Sequence, residues 1–125
     1  MQYPVYRVEY LGNPVNHEAI FVQTNENGPR SGHLYHVIGS IQRGMMYEEK
    51  PARHPEDSEA YVSKHEIGSV SAIRYSRVDT ICRSITPPEK QFEGARKLYP
   101  GRPLRRCGEW TAEVIAALRE AEVLL

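Results

Sequence analysis

The chain carries no surplus of charge of either sign: 16 lysines and arginines face 16 aspartates and glutamates over 125 residues. A balanced chain sets up no global field to draw nucleic acid or an anionic membrane surface, so neither partner is expected. Long apolar runs are missing too, and no membrane span is expected. The first residues, Met1-Gln2-Tyr3-Pro4-Val5-Tyr6-Arg7, show no basic region followed by an apolar stretch. No secretory signal is read there, and a cytoplasmic location with reduced thiols is the expectation. Cysteine is scarce, at two residues, Cys82 and Cys107. One disulfide is the most they can form, and nothing in their spacing demands it. There is no internal repeat, no low-complexity segment, no phosphate-binding glycine loop, no nucleotide fingerprint and no DNA-binding helix pair. No cofactor is therefore expected.

What is present reads as one domain, residues 1–125, of ordinary globular composition, 40% hydrophobic and 26% charged. Tyr3–Leu11 is rich in Tyr and Val and predicts a first strand, turned by Gly12-Asn13-Pro14. His17–Gln23 predicts a second, with His17, Ala19 and Phe21 on one face and Ile20 and Val22 on the other. Thr24–Gly32 is a loop by its Asn, Gly and Pro content. His33–Ile38 predicts a third strand with Leu34, His36 and Ile38 on one face. Gly39 and Gly44 bracket a short link to a fourth at Met45–Glu49. Lys50–Asp57, with Pro51 and Pro55, reads as an exposed excursion, and Ala60–Ile67 as a fifth strand. Val78, Ile81, Cys82 and Ile85 fall at three-and-four spacing, which predicts a helix over Ser71–Ile85 stopped by Pro87-Pro88, with Cys82 in its core stripe. Glu89–Arg106 gives little regular signal, and so long a connection is often functional. The expected class is α+β: a small antiparallel sheet with helices packed on one side.

The final segment is the informative one. Cys107, Trp110, Val114, Leu118 and Ala121 form a helical stripe, and Tyr99-Pro100-Gly101-Arg102-Pro103 upstream forces the helix to begin near Cys107. A thiol in a first turn, with Arg105 and Arg106 just before it, has surroundings that favour the thiolate. A nucleophilic cysteine needs a base, and the base a third group to orient it. Of five histidines, His33, His54 and His65 read as solvated. His17 opens a strand, and His36 lies inside an apolar one, where an unpartnered imidazole is costly.

"His17-Glu18-Ala19-Ile20-Phe21-Val22", then "Gly32-His33-Leu34-Tyr35-His36-Val37", then "Arg106-Cys107-Gly108-Glu109-Trp110-Thr111" resembles a known family. It is similar to the lecithin:retinol acyltransferase-like and H-Ras-suppressor-like phospholipase/acyltransferases, the circularly permuted branch of the NlpC-type papain-like superfamily. It also resembles small fungal proteins with "Arg-Cys-Gln-Glu-Trp", which by itself implies no activity. The resemblance implies a permuted papain-like fold in which Cys107 is the nucleophile, His17 the general base and His36 the group orienting His17. The function so implied is cysteine-dependent acyl transfer through a thioester, by a hydrolase or an acyltransferase. The substrate would be a small molecule or peptide with an acyl, amide or ester group. Arg106 stands where the lipid enzymes have Asn, and Glu109-Trp110 where they have His-Phe; no hydrophobic anchoring tail follows. Arg106 and Trp110 are the candidate substrate-binding residues, and the Arg105-Arg106 pair suits a carboxylate. Three other readings stand beside this one. They are a non-catalytic binding domain on the same fold, an accessory or cyclising enzyme of fungal specialised metabolism, and a metal site from His17, His36 and Cys107.

Overall fold

A computed structural model describes residues 1–125. Five strands form one antiparallel sheet: β1 (Gln2–Tyr10), β2 (His17–Val22), β3 (Gly32–Ser40), β4 (Gly44–Ala52) and β5 (Tyr61–Ser71). Their spatial order is β4-β3-β2-β1-β5, so four strands form a meander and the fifth returns beside the first. Two helices follow, α1 (Ser76–Ser84) and α2 (Cys107–Glu120), separated by a small hairpin of β6 (Phe92–Glu93) and β7 (Arg96–Lys97). The α+β layering expected from the sequence is what forms. No helix is long and apolar enough to cross a membrane.

Period-two alternation splits the strands between two cores. Val5 of β1, Ile20 and Val22 of β2, Tyr35 and Val37 of β3 and Val70 of β5 point to the helices. There they join Val78 and Cys82 of α1 and Trp110, Val114, Ile115 and Leu118 of α2. Val8, Ala19, Phe21 and Leu34 point the other way and form a second, smaller core. The chain beyond α2 adds Val123 and Leu124 to the first core, and Leu125 exchanges two 2.9 Å backbone hydrogen bonds with Ser69. At Gly68 (φ +148°) any side chain would meet the Leu125 carbonyl, so glycine is what lets this tail lie against β5.

Differences from the sequence reading each have a local cause. β4 runs on through Lys50-Pro51-Ala52, residues assigned to the excursion. The strand is an edge, where proline is tolerated, and Pro51 pairs with His33 of β3. β5 extends to Ser71 because Gly68, Ser69, Val70 and Ser71 still pair with Val5, Pro4, Tyr3 and Gln2, which delays α1 until Ser76. The remainder of the excursion is not simply exposed. It joins β4 to β5, the two opposite edges, and so must cross the sheet. The helices occupy one face, and it crosses the other as a strap with Pro55 buried, while Ala52 and Tyr61 at its two ends pack against the second core. The irregular Glu89–Arg106 connection is pinned by one buried side chain. Gln91 donates to the carbonyls of Glu89 (3.1 Å) and Arg105 (2.7 Å) and accepts from the Arg105 N–H at 2.9 Å.

Candidate functional site

α2 starts where the sequence places it. Arg106 is its extended N-cap residue, and its N–H donates to Glu109 Oε1 at 2.6 Å, the backward half of a capping box. Cys107 is the first helical residue and is only 5% exposed. Its thiol donates to the Asn16 carbonyl at 3.6 Å, so the helix start is seated on the residue before His17. The seat is held from beneath. Arg7 Nε donates to Glu18 Oε1 at 2.6 Å, and Arg7 Nη2 donates to the Gly108 carbonyl at 3.2 Å. A Cβ at position 108 would lie 2.5 Å from Glu18 Oε2, so a larger residue there would have to push the Glu18 carboxylate aside.

The imidazoles come from two neighbouring strands at the point where those strands part. The β2–β3 ladder holds from Val22↔His33 to Ile20↔Tyr35, and His17 and His36 lie just past its last pair. His17 Nε2 is 2.9 Å from His36 Nδ1, and the rings meet edge-on with centroids 5.0 Å apart. His36 Nε2 is in turn 2.8 Å from Glu48 Oε1. Tyr10, opposite His17 in the β1–β2 register, stacks on its ring at 6.2 Å. Burial lowers the His17 pKa to about 4, helped by His36 and by the positive charge of Lys50. Burial lowers that of His36 as well, against the pull of Glu48. Both rings are therefore neutral near pH 7.

His17 and Cys107 line one cavity of about 250 Å³ with Asn13, Ser40, Gln42 and Arg106. His17 also borders a second space of about 520 Å³ beneath the strap, with His36, Lys50 and His54. His17 thus separates the thiol's cavity from the far side of the sheet. A third groove, of about 490 Å³, lies between the Glu89–Arg105 connection and α2, and neither the thiol nor an imidazole lines it.

Several sequence expectations need correction. The Cys107 thiol pKa is raised, not lowered. Burial is the largest cause, and the nearby Glu18 and Glu109 carboxylates add to it. Backbone N–H groups of Glu18 and Gly108 pull only partly the other way. The Arg105 guanidinium is not aimed at the thiol: it grips Glu113 at 2.8 and 3.0 Å and the Thr86 carbonyl at 2.7 Å. The proposed arginine pair is thus reduced to Arg106, which does line the thiol's cavity. Trp110 is not a substrate contact. It is fully buried, its indole N–H donates to the Ile85 carbonyl at 3.0 Å, and its ring packs on Tyr47. His33 and His54 are not free in solvent: His33 pairs with Glu49 at 3.0 Å and His54 with Glu56 at 3.1 Å. His65 is exposed as expected.

Sequence reasoning missed Glu48. The signal was present in the bracketing glycines: with Gly39 and Gly44 closing a hairpin, Ser40 opposes Gly44 and the register runs back to set His36 opposite Glu48.

These environments predict a specific labelling result. Iodoacetamide titration should give Cys107 an apparent pKa above the free-thiol value of about 8.5. Cys82 should be slower still, since burial lifts its thiol to about 12 and it is wholly enclosed. A Cys107 value below the free-thiol range would mean the pocket stabilises the thiolate after all.

The metal reading loses its geometry, because both nitrogens of His36 are engaged and the thiol is bonded to a carbonyl. No group of three or more His, Cys, Asp or Glu side chains is disposed to hold a metal ion. No curated protein and no solved structure matches the chain. Residues 5–125 do match the model of a family of unknown function, DUF6540, and the chain belongs to that family.

Proposed function

We propose that this protein is a cysteine-dependent acyl-transfer enzyme on a circularly permuted papain-like fold, with Cys107 as nucleophile, His17 as base and His36 orienting His17. The observation that carries the reading is the pairing of His17 Nε2 with His36 Nδ1, which leaves His17 one free ring nitrogen, Nδ1, on a residue that shares its cavity with the thiol. A base oriented by a third group and set beside a nucleophile is the arrangement such triads need, whatever their order in the chain.

Both groups rest neutral, so the proton moves as the bond forms. His17 Nδ1 takes the thiol proton while the sulfur attacks the acyl carbon, and the carbonyl electron pair moves onto oxygen. The N–H groups at the start of α2 are suited to hold that oxyanion. The oxygen electrons return, the leaving group departs with the proton from His17, and a thioester remains on Cys107. Water or a second nucleophile gives its proton to His17 and attacks the thioester. The acyl group is released as the sulfur recovers a proton. A cavity of about 250 Å³ suits a small acyl group, and Arg106 is the one cation lining it, which favours a donor carrying a carboxylate.

Incubation with p-nitrophenyl acetate followed by peptide mass spectrometry tests this. The expected outcome is a burst of nitrophenolate and an acetyl group on the peptide containing Cys107, both lost in Cys107→Ala. One observation favours the binding-domain alternative, namely that the resting thiol is bonded to Asn16 rather than to His17. Equal nitrophenolate release from the wild type and Cys107→Ala, with no acetylated peptide, would decide for that alternative.

A further inference from the structure

We infer that Glu48 is a positioning residue whose carboxylate fixes the tautomers of His36 and His17, so that the one free nitrogen of His17 is left as a proton acceptor. The inference rests on the acyl-transfer reading for its importance, but it can be tested apart from it.

The argument is an accounting of protons along one chain of contacts. Glu48 is ionised, and its hydrogen bond to His36 is the largest influence keeping its pKa below the ordinary carboxylate value. An ionised carboxylate only accepts. The 2.8 Å contact therefore requires the proton of His36 to sit on Nε2. A neutral His36 then has a lone pair on Nδ1, and the 2.9 Å contact requires the proton of His17 to sit on Nε2. His17 Nδ1 is left bare. The reverse assignment would set a lone pair of His36 against the carboxylate at hydrogen-bond distance and leave a proton on the ring nitrogen that must accept one.

The charged and titratable neighbours agree with this. Lys50, next but one along β4, lies 3.6 Å from the same Glu48 oxygen and helps keep it ionised. Tyr10 stacks on His17 from β1 without bonding to a ring nitrogen. The strand carrying Glu48 is a sheet edge and its side chain is 37% exposed, so its replacement removes little packing. Glu48 touches no space lined by the thiol, and its influence must pass through two imidazoles.

The test is long-range ¹H–¹⁵N correlation spectroscopy of the histidine rings, which distinguishes Nδ1–H from Nε2–H directly. It is run on the wild type, Glu48→Gln and Glu48→Ala, with acetylation of Cys107 by p-nitrophenyl acetate measured in parallel. The wild type should show Nε2–H for both His17 and His36. Gln can present its amide N–H to His36 Nε2, which drives both rings to Nδ1–H. Acetylation should then fall by up to about 10⁴-fold, the scale known for an amide replacing the carboxylate of a Ser-His-Asp triad. Glu48→Ala, which offers neither donor nor acceptor, should give mixed tautomers and an intermediate loss. Unchanged tautomers in both folded variants would overturn the inference, even if His17→Ala still abolished acetylation and so upheld the enzyme reading. Switched tautomers with unchanged acetylation would uphold the role of Glu48 while removing Cys107–His17 as a working pair. A wild-type spectrum with Nδ1–H on either ring overturns the inference without any variant.

Discussion

Trp110→Ala will lower the unfolding free energy by about 3–5 kcal/mol, the range for emptying a buried aromatic site. Its ring is wholly enclosed between Tyr47 of β4 and the α1–α2 layer, and its N–H satisfies the Ile85 carbonyl just past the end of α1. One side chain therefore joins both helices to the sheet. For a domain of this size the loss should appear as a fall in Tm of roughly 10–20 °C. Trp110→Phe keeps most of the apolar area and forfeits chiefly one hydrogen bond, so it should cost closer to about 1 kcal/mol plus the volume lost. Thermal or urea unfolding of the two variants separates these terms. Equal, small losses from both would show that the indole does not hold the layer together.

His17→Ala will reduce acyl transfer to Cys107 by about 10²–10⁴-fold, the contribution of a positioned general base. Because thiol and imidazole both rest neutral, the active form should persist over a wide pH range. Activity should fall on the acid side only as His17 takes a proton, near pH 4, and should not fall as pH rises through the thiol range, since the thiolate is the stronger nucleophile. A papain-like ion pair would instead lose activity on protonation of the thiolate. Stability carries the same sign. The folded pKa of His17 lies below its unfolded value of about 6.5, so the unfolded chain binds protons more readily between the two. Its contribution to stability is therefore complete above about pH 6.5 and is lost as pH falls toward 4. In His17→Ala this part of the acid sensitivity should disappear. A variant with wild-type acylation across pH would remove His17 from the mechanism.

What could be read from the sequence followed the strength of local signals. The alternation in His17–Val22 placed Ile20 and Val22 on one core and Ala19 and Phe21 on the other, as the structure has them. The stripe of α2 and the Pro100-Gly101-Arg102-Pro103 stretch before it set the helix start within a residue. Lys50-Pro51 concealed the end of β4, because edge strands tolerate residues that a central strand would reject. Chemistry was harder to read than topology. The thiol's surroundings were inferred from Arg105 and Arg106 as neighbours in sequence. In the folded chain Arg105 is turned to Glu113, and one of the two acids at the helix start, Glu18, comes from β2. Burial, which dominates the pKa of both Cys107 and His17, has no linear signature at all. The hairpin register that brings Glu48 to His36 was available, but only to a reader who extended the pairing outward from the two glycines.

The thiol donates to a carbonyl 91 residues earlier in the chain, and β1 is inserted between β2 and β5. These separations give the fold many non-local pairings, and loop closure makes such pairings slow to form. Synthesis from the N-terminus delivers both imidazoles and Glu48 long before the segment carrying Cys107. On the acyl-transfer reading, until α2 docks there is a base without a nucleophile, because Cys107 reaches its cavity only with the start of that helix. If the pair works, its reactivity should appear only once α2 has docked, and acylation of Cys107 followed during refolding would report that last contact.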